Sequence, residues 1–307
     1  MKRGCTDSQT VGILLGGTHP WTNAPFDWLL PRTLLPVAHR ALIWYGLSWL
    51  DREGIRETAV CGNRESRLLE ARLARHVPRG MSVTYREDAI PRGAAGSVRD
   101  AAWATEAQTF VVADGTAIQN VDLRDLLGKH QTSGACLTVV VHREARRYGS
   151  QALAVPQGIY IFDRRALDGV PAHGFCDIKE KLIPQLHSAG ERVVAYETPM
   201  VTPRVLDSST YMAVNEWMIE HLVRRGEQCE DYRRSGNASG LAHAFCPERS
   251  SKVRPRSGAA QPFARVPWSR APRCGDGPRS ARTPSPIDVS WLTTRSSSPV
   301  HTQCGRS

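Results

Sequence analysis

The sequence predicts an α/β chain whose mainly parallel sheet is covered by helices on both faces. Three observations carry that expectation. Short apolar runs alternate with amphipathic segments from about residue 10 to 225. The first run, "VGILL" at 11–15, ends in a Gly-Gly pair. The excess positive charge lies wholly outside this alternating region. Alternation implies parallel pairing because parallel neighbours need a long return connection, which a helix fills.

After the strand at 11–15, residues 35–52 ("LPVAHRALIWYGLSWLDR") place Ala38, Leu42, Tyr45 and Trp49 on one face of an expected helix. A strand at 57–61, a helix at 64–77 and a strand at 81–85 follow. Beyond the loop "REDAIPRGAAG", a helix is expected from Ser97 to about Ala104. Next come a strand at 109–113, a helix at 122–131 and a strand at 135–142. The apolar pieces "ALAV" and "GIYIF", a helix around 178–188, the strand "RVVAYE" and a helix at 209–224 complete the set.

The division is an extension at 1–10, a folded domain at 11–225 and a tail at 226–307. The 307 residues carry 40 basic and 30 acidic side chains, a formal net charge of +10. Residues 233–307 hold 13 of the basic groups and 3 of the acidic ones, so the first 232 residues hold 27 of each. The folded part is neutral. The Arg/Pro/Ser-rich tail is too poor in periodic apolar residues to offset the entropy of ordering and is expected to be disordered. A basic arm touching nucleic acid, a solvated tail and a stretch translated out of frame all fit it. The first is the one route to nucleic acid.

No run approaches a membrane span, and "MKRGCTDSQT" lacks the apolar core of a secretory signal. The eight cysteines are scattered without a C-x-x-C pair. Reduced thiols in a cytoplasmic protein are therefore expected.

In open α/β sheets, ligands sit beyond the carboxyl ends of the strands. That directs attention to the loops after Leu15, Tyr85 and Ala113; the last begins with Asp114. Gly16 and Gly17 let backbone N–H groups approach an anion with no Cβ in the way, and serve equally as a tight turn. Trp21 and Trp28 in the loop that follows suit either stacking on a base or fastening the loop.

The order of several pieces says more. "GILLGG", "LPRTLLPVAHRALIWYGLSWLDREGI", "EDAIPRGAAGSVRDA", "FVVADGTAIQNVDLRDLLGKH", "GIYIFDRRAL", "FCDIKEKLIPQL" and "RVLDSSTYMAVNEWM" follow one another. This succession, over about 11–222, resembles the sugar-phosphate nucleotidyltransferase family of mannose-1-phosphate guanylyltransferases and glucose-1-phosphate uridylyl- and thymidylyltransferases. The resemblance implies a Rossmann-like three-layer α/β/α sandwich with a mainly parallel mixed sheet. It implies transfer of a nucleotidyl group from an NTP to a sugar-1-phosphate, with release of pyrophosphate and use of Mg²⁺.

Leu15, Gly16 and Gly17 match the family's L-x-G-G, while the triphosphate-gripping G-T-R that follows is replaced by "THPWTNAPFDW". Arg32 stands where the family has a catalytic phosphate-binding Lys. Pro91 and Gly93, with Ala95, match a turn that approaches the base. Of the two metal-holding Asp, one matches Asp207; the other's place falls at Gly115-Thr116, with Asp114 next to it as the nearest carboxylate. On the sugar side the matched positions are Gly158, Asp177 and Lys179, in a segment whose Lys179-Glu180-Lys181 reverses the expected charge.

These departures keep a second reading open, an inactive module binding a nucleotide or nucleotide sugar. Because many family members assemble, a homo-oligomer is also open.

Overall fold

Val11 and Ile13 face one side of strand β1 (Thr10–Leu15) and Leu14 the other, and all three are buried. A strand buried on both faces reads as a continuous apolar run, which is why "VGILL" shows no alternation. The computed structural model describes residues 10–17, 30–88, 90–144 and 153–224. The extension, the loop at 18–29 with its two tryptophans, and the tail lie outside the described residues. Described residues through Glu220 belong to one compact unit.

Beyond β1 come a two-residue pair, β2 (Pro36–Val37) and β3 (Arg40–Ala41), and helix α1 (Leu42–Arg52). Strand β4 (Glu57–Asn63), helix α2 (Arg67–Leu73) and strand β5 (Ser82–Asp88) follow. Then α3 (Gly93–Ala102), β6 (Thr109–Asp114), α4 (Leu123–Ser133), β7 (Leu137–Glu144) and β8 (Leu153–Asp163) alternate. A wide turn at Ile178–Leu182 leads into α5 (Ile183–Ser188), and β9 (Val193–Thr198) and α6 (Ser208–Arg224) finish the described chain.

The seven-stranded sheet has the order β5-β4-β1-β6-β8-β7-β9. All its neighbours pair in parallel except β8, which is antiparallel to both β6 and β7. On one face Val11, Ile13, Phe110 and Val112 pack with Ala95 and Val98 of α3 and Ile183 and Leu186 of α5. On the other, Leu14, Val111 and Ala113 pack with Ile43 and Leu47 of α1, Leu69 of α2 and Leu126 of α4. The result is the expected three-layer α/β/α sandwich with a mainly parallel mixed sheet. No helix among the described residues is long and apolar enough to cross a membrane.

Four helix starts differ from the sequence expectation. α2 begins at Arg67 rather than 64, behind a tight turn at Arg64–Ser66, and α5 begins at Ile183 behind the wide turn at Ile178–Leu182. α1 and α3 differ for reasons set elsewhere in the chain. α1 begins at Leu42 rather than Leu35, because 36–41 fold into the β2–β3 pair, with Ala38 at φ 52° in its turn. Helix α6 holds that turn in place: the Asn215 Oδ1 accepts from the Ala38 N–H at 2.9 Å, and the Tyr211 hydroxyl donates to the Pro36 carbonyl at 2.6 Å. α3 begins four residues before the expected Ser97, since the Cys176 carbonyl accepts the Ala95 N–H at 3.0 Å and caps its first turn. The described residues of "ALAV", from Leu153 on, and "GIYIF" form the single strand β8, whose partner β7 slips register between Val139 and Val141. His130 is a core residue, its two ring nitrogens against Thr138 Oγ1 at 2.8 Å and Asp163 Oδ1 at 3.1 Å.

Candidate functional site

The central strands end together. Leu15 of β1 and Asp114 of β6 are register partners, and both face a cavity of about 210 Å³ at the carboxyl edge of the sheet. Gly17 and Ala94 bound one side of it, Gly158 and Tyr160 of β8 another, and Asp177, Ile178 and Lys179 a third. Arg204 closes the remainder. Of the residues singled out from sequence, Leu15, Gly17, Asp114, Gly158, Asp177 and Lys179 thus converge from distant segments. Gly16, Arg32, Pro91, Gly93 and Asp207 do not line it.

The reasons are local. The Gly16 N–H donates to the Cys61 carbonyl at 2.6 Å, so this amide serves the sheet edge rather than the cavity. A Cβ there would stand 2.9 Å from Leu69 Cδ2, so packing against α2 explains the glycine. Gly93 has φ 72°, and a Cβ on it would lie 2.6 Å from the Cys176 carbonyl oxygen. Its close approach is to the chain itself, and Ala94 is the residue this turn delivers to the cavity. Pro91 is exposed, and Arg32 occupies a short turn at Arg32–Leu34.

Asp177 caps the turn that follows it, its Oδ1 accepting from the N–H groups of Lys179 at 2.7 Å and Glu180 at 3.1 Å. Burial, and behind it the Arg204 guanidinium, holds the Lys179 ammonium below the usual lysine range. Burial likewise pushes the Tyr160 hydroxyl far up, so it stays protonated.

Asp114 Oδ1 accepts from the Thr116 N–H at 2.8 Å and the Thr116 hydroxyl at 2.7 Å. Its Oδ2 lies 3.3 Å from Arg204 Nε, and Arg204 Nη2 donates to the Gln157 carbonyl at 3.0 Å. The Arg204 backbone is fixed in turn. Pro203 accepts from the Ile118 N–H and the Val205 N–H donates to Thr116, both at 2.9 Å, around an antiparallel bridge between Ala117 and Arg204. Sequence reasoning missed Arg204; its one signal was its place three residues before the matched Asp207.

The Nucleotidyl transferase family model matches residues 25–154. Over 204 residues the chain is 21% identical to a mannose-1-phosphate guanylyltransferase of Mycobacterium tuberculosis, covering 60% of this chain and 57% of the relative. Over 123 residues it is 24% identical to a D-glycero-alpha-D-manno-heptose 1-phosphate guanylyltransferase of Aneurinibacillus thermoaerophilus, covering 39% of this chain and 53% of that one. Over 25–154 the chain is thus similar to the nucleotidyl transferase family.

The chain spans a little over half the length of the curated relatives it matches. Its fold is similar to that of HddC from Yersinia pseudotuberculosis, with a TM-score of 0.57 at 14% identity over 68% of this chain and 99% of that one. The same protein in complex with GMP-PN matches with a TM-score of 0.57 at 13% identity.

Family members typically use a divalent metal, which the resemblance assigns here to Asp114 and Asp207. The residues present do not fit one. Asp114 has one oxygen taken by two Thr116 donors and the other by Arg204. Asp207 is an exposed cap, its Oδ1 accepting from the Thr210 N–H at 2.7 Å and hydroxyl at 2.9 Å. Among the described residues, no three His, Cys, Asp or Glu cluster, so the protein offers no cage of its own for an ion.

Proposed function

We propose that the cavity binds the phosphates of an NTP and a sugar-1-phosphate and that the chain transfers the nucleotidyl group between them. The observation carrying this reading is the convergence of Leu15, Gly17, Asp114, Gly158, Asp177 and Lys179 on one cavity. In the reaction, an oxygen of the sugar-1-phosphate attacks the α-phosphorus, a P–O bond forms, and the α–β anhydride bond breaks to release pyrophosphate. Little covalent work falls to the protein; positioning and neutralisation of phosphate charge dominate. Gly17 and the β1 and β6 ends would face the nucleotide. Gly158, Asp177 and Lys179 would face the sugar phosphate, and Arg32 would approach the triphosphate from outside the lining. Phosphate beside Lys179 would favour its charged form and offset the cost of its burial.

Pyrophosphate release is to be measured across the four NTPs and a panel of sugar-1-phosphates. Release from at least one pair supports transfer, and silence across the panel removes it. A second reading, a binding module without turnover, is favoured by the commitment of both Asp114 and Asp207 to internal partners. Calorimetric binding of a nucleotide without any release would select it.

A further inference from the structure

The geometry points to Arg204 as a built-in cation that stands at Asp114 in place of a divalent metal, so that the cavity holds its nucleotide's polyphosphate without one. This deepens the nucleotide reading above and rests on it for the identity of the ligand.

The guanidinium is built into the site. Its Nε faces Asp114 Oδ2 at 3.3 Å and its Nη2 donates to the Gln157 carbonyl at 3.0 Å. It is carried by backbone clamped on both sides to 116–118. Gln157 is itself buried and fixed, its Nε2 donating to Val155 at 2.8 Å and its Oε1 accepting from the Thr202 N–H at 2.7 Å. Gly158, at φ 74°, leaves the space the fork occupies, because a Cβ there would overlap Arg204 Nη2. These constraints come from three separate segments and all place the same guanidinium on the same carboxylate.

A metal ion at Asp114 would compete with Arg204 for Oδ2 and bring a double positive charge beside both Arg204 and Lys179. Two like charges sharing a partly buried wall repel. With Arg204 in place, the charged groups of the wall among the described residues are Asp114 and Asp177 against Arg204 and Lys179, which balance before a phosphate arrives. A guanidinium offers several donors in one plane and binds phosphate oxygens in pairs, which lets it serve the carboxylate and a ligand together.

Inorganic pyrophosphate is the probe. Calorimetric titration of the full chain in EDTA and in excess Mg²⁺ is expected to give dissociation constants within about threefold of each other. Arg204→Gln is expected to weaken binding at least about tenfold, the scale of one lost charge-assisted contact to phosphate. Gly158→Ala, which pushes the guanidinium off Asp114 while keeping its charge, is expected to weaken it as well. Binding that requires Mg²⁺, or Arg204→Gln binding as wild type, overturns the proposal. Should that variant not fold, Mn²⁺ titration of the unaltered protein by electron paramagnetic resonance decides. A bound ion that Asp114→Asn releases refutes the role of Arg204, and the lack of one supports it. Metal-free pyrophosphate binding with a silent substrate panel would remove the transfer reading and leave Arg204 standing. Turnover that needs an ion held by Asp114 would do the reverse.

Discussion

Arg204 and Asp207 are three residues apart and do different work. The first faces the cavity; the second turns away and starts α6. Asp207 is held below the usual carboxylate range by the Thr210 backbone N–H and then the Thr210 hydroxyl. Such a cap is a stability device, so Asp207→Ala is expected to lower the melting temperature while changing pyrophosphate affinity less than about twofold. The sign of its pH dependence follows. A carboxyl lowered on folding stabilises above its unfolded pKa of about 3.9 and loses that effect as pH falls. The melting difference between Asp207→Ala and wild type should therefore fade below about pH 4, and thermal melts from pH 7 to 3 would check it. At this scale the sequence showed which positions needed glycine but not what pressed on them. A Cβ on Gly16 would meet Leu69 first and one on Gly93 the Cys176 carbonyl, partners set by tertiary contact rather than by local spacing. Arg204 left no readable pattern because a lone arginine in a loop has no period and no motif of its own.

Among the elements, most strands of the large sheet were legible to within a residue or two at their starts, since continuous apolar runs bounded by Gly and polar turns have few alternatives. By contrast, β2 and β3 fell inside an expected helix and β8 read as two pieces. Helix starts were less so. Those of α1 and α3 depend on Asn215 and Cys176, which lie 177 and about 80 positions along the chain. The α3 start shows how such a boundary is held. Buried Arg92 binds Asp100 through Nε at 2.8 Å and reaches the carbonyls of Gly174 at 2.6 Å and Pro171 at 2.9 Å. One guanidinium thus straps 171–174 to the helix whose Ala94 bounds the cavity. Arg92→Met would leave two carbonyls and a carboxylate without it, at a cost of about 2 kcal/mol, with Arg92→Lys recovering only part. Urea denaturation at pH 7 measures this. Burial pushes Asp100 up, but hydrogen bonds and charge from Arg92, and then Arg99, outweigh it and hold the carboxyl low. Its contribution is present above about pH 4 and lost as pH falls, so the deficit of Arg92→Met should shrink in acid.

For the whole molecule, charge and fold separate along the chain. Among the described residues, the seven strands of the sheet, both core layers and the residues lining the cavity all belong to the neutral part of the chain. The formal charge of +10 arises entirely from 233–307, which lie outside the described residues. A neutral body built around an internally balanced cavity has no broad positive field with which to collect polyanions, so its affinity for phosphate has to be local. Any affinity for nucleic acid belongs to the basic segment and carries its salt dependence. A chain ending at Tyr232 is formally neutral, with 27 basic and 27 acidic groups. It is expected to keep the pyrophosphate affinity of the full chain within about twofold, because it retains all the described lining residues, and to lose retention on heparin at low salt. Titration and heparin elution of the two chains side by side test this. Loss of pyrophosphate binding on truncation would show that the basic segment supplies cations to the cavity, and the division of charge from fold would then fail.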